Sequence, residues 1–285
     1  MFVLLPQIQN CMFRKYLIAV LLVFTVLASY SQQKIGVVLS GGGALGFAHI
    51  GALQAIEEAG YEPQIVSGTS MGALIGVLYA AGYSPAEIMQ FAEEEKFYSR
   101  RHILKRGNRQ HPGLYCLKAV YSVLLQKIPH NSFDSLEKPY CACVMNMTEA
   151  KPEYICSGGQ LVEYVLASAS IPTVFDAQQI NGVQYTDGGM LNNFPAQPIR
   201  EKCDFLIGVD VLPLTHKQAV KSYESLLFAL RDVQHVNSLP GRKLCDVLIE
   251  VHAIDTYGEF DFKRFRELYE IGYTAAKAQL QAIQK

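Results

Sequence analysis

The sequence predicts an α/β fold with a mostly parallel central sheet and helices on both faces, and three observations carry that prediction. From Lys34 onward, short β-branched runs alternate with longer apolar stretches of helical spacing. A glycine-rich loop, Ser40-Gly41-Gly42-Gly43-Ala44-Leu45-Gly46, separates the first such run from the first helical stretch. At the next junction of the same kind a serine stands between two glycines, Gly68-Thr69-Ser70-Met71-Gly72. Strand, loop, helix, strand, turn, helix is the order from which parallel sheets are built.

Each element has its own justification. Ile35 to Leu39 reads as a buried strand, Phe47 to Ala59 as a helix closed by Gly60, Gln64 to Val66 as a second strand, and Met71 to Ala81 as a helix closed by Gly82. Ser84-Pro85-Ala86-Glu87 carries a capping-box pattern with proline at the first helical position, and the helix it opens runs towards Glu95. Further helices are expected at Leu117 to Ile128, Gln160 to Ala169, Ala219 to His235 and Phe262 to Ile283. Further strands are expected at Tyr140 to Met147, Phe205 to Val211 and Val247 to Val251. Asn181-Gly182 predicts a hairpin over Ile180 to Tyr185, which delivers the chain into Thr186-Asp187-Gly188-Gly189.

The chain has 285 residues, half of them apolar, and a formal net charge of −1, which argues against a nucleic-acid partner. Its first segment stands apart. Arg14-Lys15 precede an apolar run from Tyr16 to Ala28, about 13 residues long and so too short to span a bilayer, and small residues follow it near Ser31. The expectation is a signal peptide over residues 1–31, with Met12 as an alternative start, followed by one domain over 32–285 and export to a periplasmic or secreted location. Cysteines at 116, 141, 143, 156, 203 and 245 show neither a dense disulfide scaffold nor paired metal knuckles. They read mostly as buried thiols, with some pairing open to an exported protein.

The glycine-flanked serine has the form of a nucleophile elbow: Gly68 and Gly72 let the backbone turn sharply enough to push the Ser70 hydroxyl outward. The same residues also read as a helix N-terminus capped by Thr69 or Ser70. A serine nucleophile needs a base and a set of donors for the oxyanion. Backbone N–H groups of Gly41, Gly42 and Gly43, joined by the Met71 amide, are the candidate donors. Gly41, Gly43 and Gly46 also fit a dinucleotide loop, but the second strand ends in the serine motif and not in the acidic residue a ribose would need. No nucleotide is expected. Asp187, followed by Gly188 and Gly189, is the candidate base; a plain turn aspartate is its alternative. Ser70, Asp210 and His252 form a rival triad in the chain order of an α/β-hydrolase, although an elbow on the second strand comes early for that fold.

These motifs, with Phe47-Ala48-His49-Ile50-Gly51, Ala167-Ser168-Ala169-Ser170-Ile171-Pro172, Phe175 and Asn192-Asn193-Phe194-Pro195, resemble the patatin-like phospholipases and lipid acyl hydrolases over about Lys34 to Leu212. The resemblance implies a three-layer fold, a Ser70 and Asp187 dyad, an acyl-enzyme intermediate, and a lipid or membrane-surface substrate, with no metal or cofactor. It implies that His49 packs behind the loop. A non-catalytic lipid-binding domain of the same fold is the alternative. The chain departs from the family at Leu45, where an arginine or lysine is usual, which puts any preference for an anionic headgroup in doubt. Lys96, Arg100, Arg101, Lys105, Arg106 and Arg109 form a basic segment that reads as a solvated loop or as a bilayer contact.

Overall fold

The computed structural model describes residues 33–94, 117–213, 225–254 and 256–283. The leader with its alternative start, the Lys96 to Arg109 segment, Cys116 and the first residues of the helix expected from Ala219 lie outside the described residues.

Eight strands form one sheet: β1 (Ile35–Leu39), β2 (Pro63–Thr69), β3 (Tyr140–Asn146), β4 (Lys151–Ile155), β5 (Gln178–Ile180), β6 (Val183–Asp187), β7 (Phe205–Asp210) and β8 (Val247–Glu250). β1 pairs in parallel with β2 and β7, β2 with β3, and β7 with β8. The rest of the sheet is antiparallel: β3 with β4 and β6, and β5 with β6. The parallel part was legible; β4 was not. Its Lys-Pro-Glu-Tyr-Ile sequence is half polar and contains a proline, the composition of an edge strand that only its neighbour defines. β2 also runs past its apolar residues into Ser67-Gly68-Thr69, which pair with both β1 and β3.

Helices cover both faces. On one side lie α1 (Phe47–Glu58), α2 (Met71–Ala80), α3 (Pro85–Glu94), α4 (Lys118–Lys127), α5 (Leu161–Ser168) and α8 (Phe265–Ile283). On the other lies α6 (Gln197–Arg200), and α7 (Ser225–Arg242) packs against the turn at Gly188–Met190. Strand alternation sorts the core: Val37, Leu39, Val66, Ile207 and Val209 face the first layer, whereas Val38, Ile65 and Leu206 meet Phe194, Ala196 and Ile199 on the other. α8 buries Phe265, Leu268, Gly272, Ala276 and Leu280, one face at helical spacing, against α1, which is buried almost all round. The expected capping box is present, with Ser84 N–H donating to Glu87 Oε2 at 2.9 Å and Glu87 N–H to Ser84 Oγ at 3.3 Å. Asn181 and Gly182 both take positive φ, the type I′ requirement, at 50° and 82°.

The pairing on β3 explains how distant loops meet. β4 occupies one edge of β3 over Ala142 to Asn146. A strand has only two edges, so β2, paired to Tyr140–Cys143, and β6, paired to Val144–Asn146, share the other. They run towards each other along it. Thr69 pairs with Cys143 and Asp187 with Val144, so the last residue of β6 lies beside the residue that follows β2, which is Ser70. A disulfide, Cys141–Cys156, ties β3 to the end of β4 across a Cα separation of 4.2 Å. Cys143 and Cys203 are buried thiols and Cys245 is half-buried.

Candidate active site

Ser70 ends β2 and begins α2 with φ 54° and ψ −122°, a conformation that side-chain-bearing residues rarely adopt. Its surroundings impose it. A Cβ at Gly68 would overlap the Gly72 carbonyl, and one at Gly72 would overlap the Leu39 and Ser40 carbonyls, so the two glycines let β1, β2 and α2 close on one another. The Ser70 N–H donates to Ser168 Oγ at 2.9 Å, and that hydroxyl donates to the Cys143 carbonyl at 2.6 Å. The Ser70 carbonyl accepts from Ala73 and Leu74, starting the helix. Thr69 Oγ1 donates to the Asn192 carbonyl at 3.1 Å, binding the elbow to the loop after Asp187.

Asp187 is 2% exposed. Its N–H donates to the Ser170 carbonyl at 3.0 Å and its Oδ1 accepts from Gly189 N–H at 2.7 Å. Gly188 is required because a Cβ there would overlap the Cys143 carbonyl. Oδ2 is buried without a hydrogen-bond partner. Burial pushes the carboxyl up to about 7, against the pull of hydrogen bonding from Ser70 and from the Gly189 amide, and the negative charge of Glu259 adds to the rise. The structure therefore brings Ser70 and Asp187 together and holds the carboxyl close to neutral pH.

Of the amides expected as oxyanion donors, one is engaged elsewhere. The Gly41 N–H is already committed to the Asn193 carbonyl at 3.1 Å and Ala44 N–H to the Glu259 carbonyl at 2.8 Å. Among the described residues the N–H groups of Gly42 and Gly43 have no such partner, and Met71 N–H is an open first-turn amide of α2. Gly41 is thus a bracing residue: a Cβ on it would strike Asn193 Oδ1, and Asn193 Nδ2 donates to its carbonyl at 3.3 Å. Gly46 lets the loop close on Met71. Behind it, His49 is fully buried with Nε2 2.8 Å from the Ser40 carbonyl; a carbonyl only accepts, so Nε2 carries the proton. Burial lowers this imidazole to about 4, which keeps it neutral as a brace.

The rival triad is not assembled. The His252 side chain is 58% exposed with Glu250 Oε2 at 3.8 Å, and Asp210 is ion-paired to Arg242 at 3.2 Å. No described contact joins His252 to Ser70 or Asp187. Leu45 is fully buried and does not line the cavity described below. Sequence reasoning missed the supports. Ser168 and Asn193 lay within motifs already singled out, but their roles depend on partners 98 and 152 positions away. Asn237 of α7, which accepts from Asn193 N–H at 2.8 Å and donates to the Gly189 carbonyl at 2.9 Å, had no local signal.

Ser70, Met71 and Gly43 line a cavity of about 90 Å³. Its walls are Leu74, Ile75 and Leu78 of α2, Ile88 and Ala92 of α3, Val120 and Leu124 of α4, with Leu117, Ala169, Ile171, Phe175 and the rings of Phe47, Phe260 and Phe262. Among the described residues, Glu259 is the only charged one in the lining. Among the described residues no cluster of histidine, cysteine and carboxylate side chains is arranged to hold a metal. No helix among them is long and apolar enough to cross a membrane.

A three-layer α/β domain with a strained serine elbow, a buried carboxyl beside it and a glycine cradle defines a class of serine-elbow α/β proteins. Residues 37–199 match the family model described as patatin-like phospholipase, and the chain belongs to that family. It is 28% identical to lysophospholipase NTE1 of Candida glabrata, over 89% of this chain and 16% of that protein. It is 27% identical to lysophospholipase NTE1 of Saccharomyces cerevisiae, over 89% of this chain and 17% of that protein. The chain thus spans about a sixth of the length of these curated relatives. VipD from Legionella pneumophila shares the fold, with a TM-score of 0.52 at 14% identity over 88% of this chain and 67% of that structure.

Proposed function

We propose that this protein is a serine hydrolase that cleaves the carboxyl-ester bonds of acyl lipids, phospholipids and lysophospholipids among them, through a Ser70–Asp187 dyad. One observation carries the reading: an unpaired carboxylate oxygen of Asp187, raised to about 7, lies beside a serine held in an elbow at the mouth of an apolar cavity. Asp187 Oδ2 takes the Ser70 proton as Oγ attacks the ester carbonyl. The oxyanion is met by the Gly42, Gly43 and Met71 amides, which point their dipoles at it without reorganisation. Collapse of the tetrahedral intermediate expels the alcohol, which takes the proton back from Asp187. Water then attacks the acyl-serine with Asp187 again as base, releasing the fatty acid. Neither His49 nor His252 is the base in this reading: His49 is buried and neutral, and the His252 side chain is exposed with Glu250 Oε2 3.8 Å away.

The substrate class follows from the lining. An acyl chain gains about 0.8 kcal/mol for each methylene taken out of water, and the walls from α2, α3 and α4 supply a dry apolar surface for it. The curated relatives are named lysophospholipases, which agrees with this chemistry. The Cys141–Cys156 disulfide supports an oxidising compartment and hence the exported location that the leader suggests. Products released from a mixed lipid extract, compared by mass spectrometry for wild type and Ser70→Ala, test the assignment. Free fatty acid and the matching deacylated lipid should accumulate with wild type alone. Equal release by the variant would refute the assignment.

A further inference from the structure

The cavity poses a problem of charge. Its walls are apolar, yet Glu259 stands at the end where Ser70 and Gly43 lie. The residue is fixed there: its carbonyl accepts from Ala44 N–H at 2.8 Å, and a Cβ on Gly43 would come within 3.1 Å of the Glu259 Cβ. Its side chain is 18% exposed, and its one ion pair among the described residues is long, 3.5 Å to Arg231 Nε. A partly dry carboxylate against the oxyanion loop imposes a standing cost that a purely structural role does not repay. Its field also reaches the reacting groups, because Glu259 contributes to the rise of the Asp187 carboxyl. Among the described residues, the charges nearest this end are the Glu259 and Asp187 carboxyls, with Arg231 Nε 3.5 Å from Glu259.

We propose that Glu259 is a specificity-determining residue, a charge filter that disfavours acyl lipids with an anionic headgroup and admits those whose headgroup carries a cation. The inference rests on the reading of the cavity as an acyl-lipid site. The acyl chain lies along the apolar walls, so the ester sits at Ser70 and the alcohol portion must leave past Gly43 and Glu259. An anionic headgroup there meets a like charge at short range in a poorly solvated setting, whereas an ammonium group gains from it. Rejection by repulsion is as effective a source of selectivity as attraction.

Binding without turnover separates this inference from the hydrolase reading. Single-chain ether analogues of lysophospholipids, with one alkyl chain and either a phosphocholine or a phosphoglycerol headgroup, lack the scissile ester and can be titrated below their micelle concentrations. Wild type should bind the phosphocholine ether about tenfold more tightly than the phosphoglycerol ether. Glu259→Gln should bring the two within about twofold of each other, and Glu259→Asp should keep most of the discrimination. Equal binding by wild type, an unchanged ratio in Glu259→Gln, or a ratio lost as fully in Glu259→Asp as in Glu259→Gln would overturn the filter. A protein that discriminates between the ethers but releases no fatty acid from esters would leave the filter standing and refute the hydrolase. One that releases fatty acid without discriminating would do the reverse.

Discussion

Asp187 and Asp210 end two strands of the same sheet, are 2% and 1% exposed, and each has a carboxyl raised by burial. Their neighbours differ. Asp210 faces Arg242, 3.2 Å away, which also pairs with Glu250, while its Oδ1 accepts from Leu212 N–H at 2.8 Å. Asp187 has no ion pair among the described residues; its Oδ1 accepts from the Gly189 amide, and its Oδ2 is buried without a hydrogen-bond partner. Burial raises both carboxyls, but only Asp210 has a cation, Arg242, to oppose the rise. A buried carboxylate becomes a base when the fold withholds the cation that would neutralise it.

Substitutions should separate the two regions. The largest effect is expected from Asp187→Asn, which keeps the shape and removes the base; ester hydrolysis should fall by a factor of about 10³ or more, read as kcat on a soluble ester. Arg242→Met strikes the other region. It strands Asp210 without its cation and should lower unfolding free energy by about 3 kcal/mol in urea titrations, while the folded fraction keeps its kcat. Activity lost and stability kept in that variant would break the comparison.

The pH dependence sharpens it further. Only ionised Asp187 is a base, so kcat/KM should rise to a plateau with a midpoint near 7. Stability moves the other way. Between the unfolded value of 3.8 and the folded value of about 7 the native state binds the extra proton, so this group costs stability as pH rises through that window. The loss is on the order of a few kcal/mol, and Asp187→Asn should flatten it in melts taken between those values. The smallest effect is expected from His252→Ala: an exposed ring paired with Glu250 takes no part in proton transfer, and hydrolysis should stay within about twofold of wild type. A drop of a thousandfold would restore the rival triad.

How much was legible in the sequence follows from range. The elbow, the glycine loop and the Asn181-Gly182 hairpin were readable because their signals sit within a few residues, in spacings that only a sharp turn or close backbone approach requires. The strands β1 and β7 were readable as apolar runs for the same reason. What was not readable depends on tertiary pairing. β4 is defined by β3, and the head-to-head approach of β2 and β6 exists only along the shared edge of β3. Gly41 looked like a third donor until Asn193 claimed its N–H, and Glu259 gave no hint that it would line the cavity with Ser70. Local spacing singles out candidate reacting groups, while their supports and their electrostatic neighbours arrive from distant elements.

The dyad is tested most directly by labelling the folded protein with a fluorophosphonate and locating the adduct by mass spectrometry, in wild type and in Asp187→Asn. The account predicts a single adduct on Ser70, formed about 10³ times more slowly in the variant. An adduct on another residue, or an unchanged rate without the Asp187 carboxylate, would contradict it.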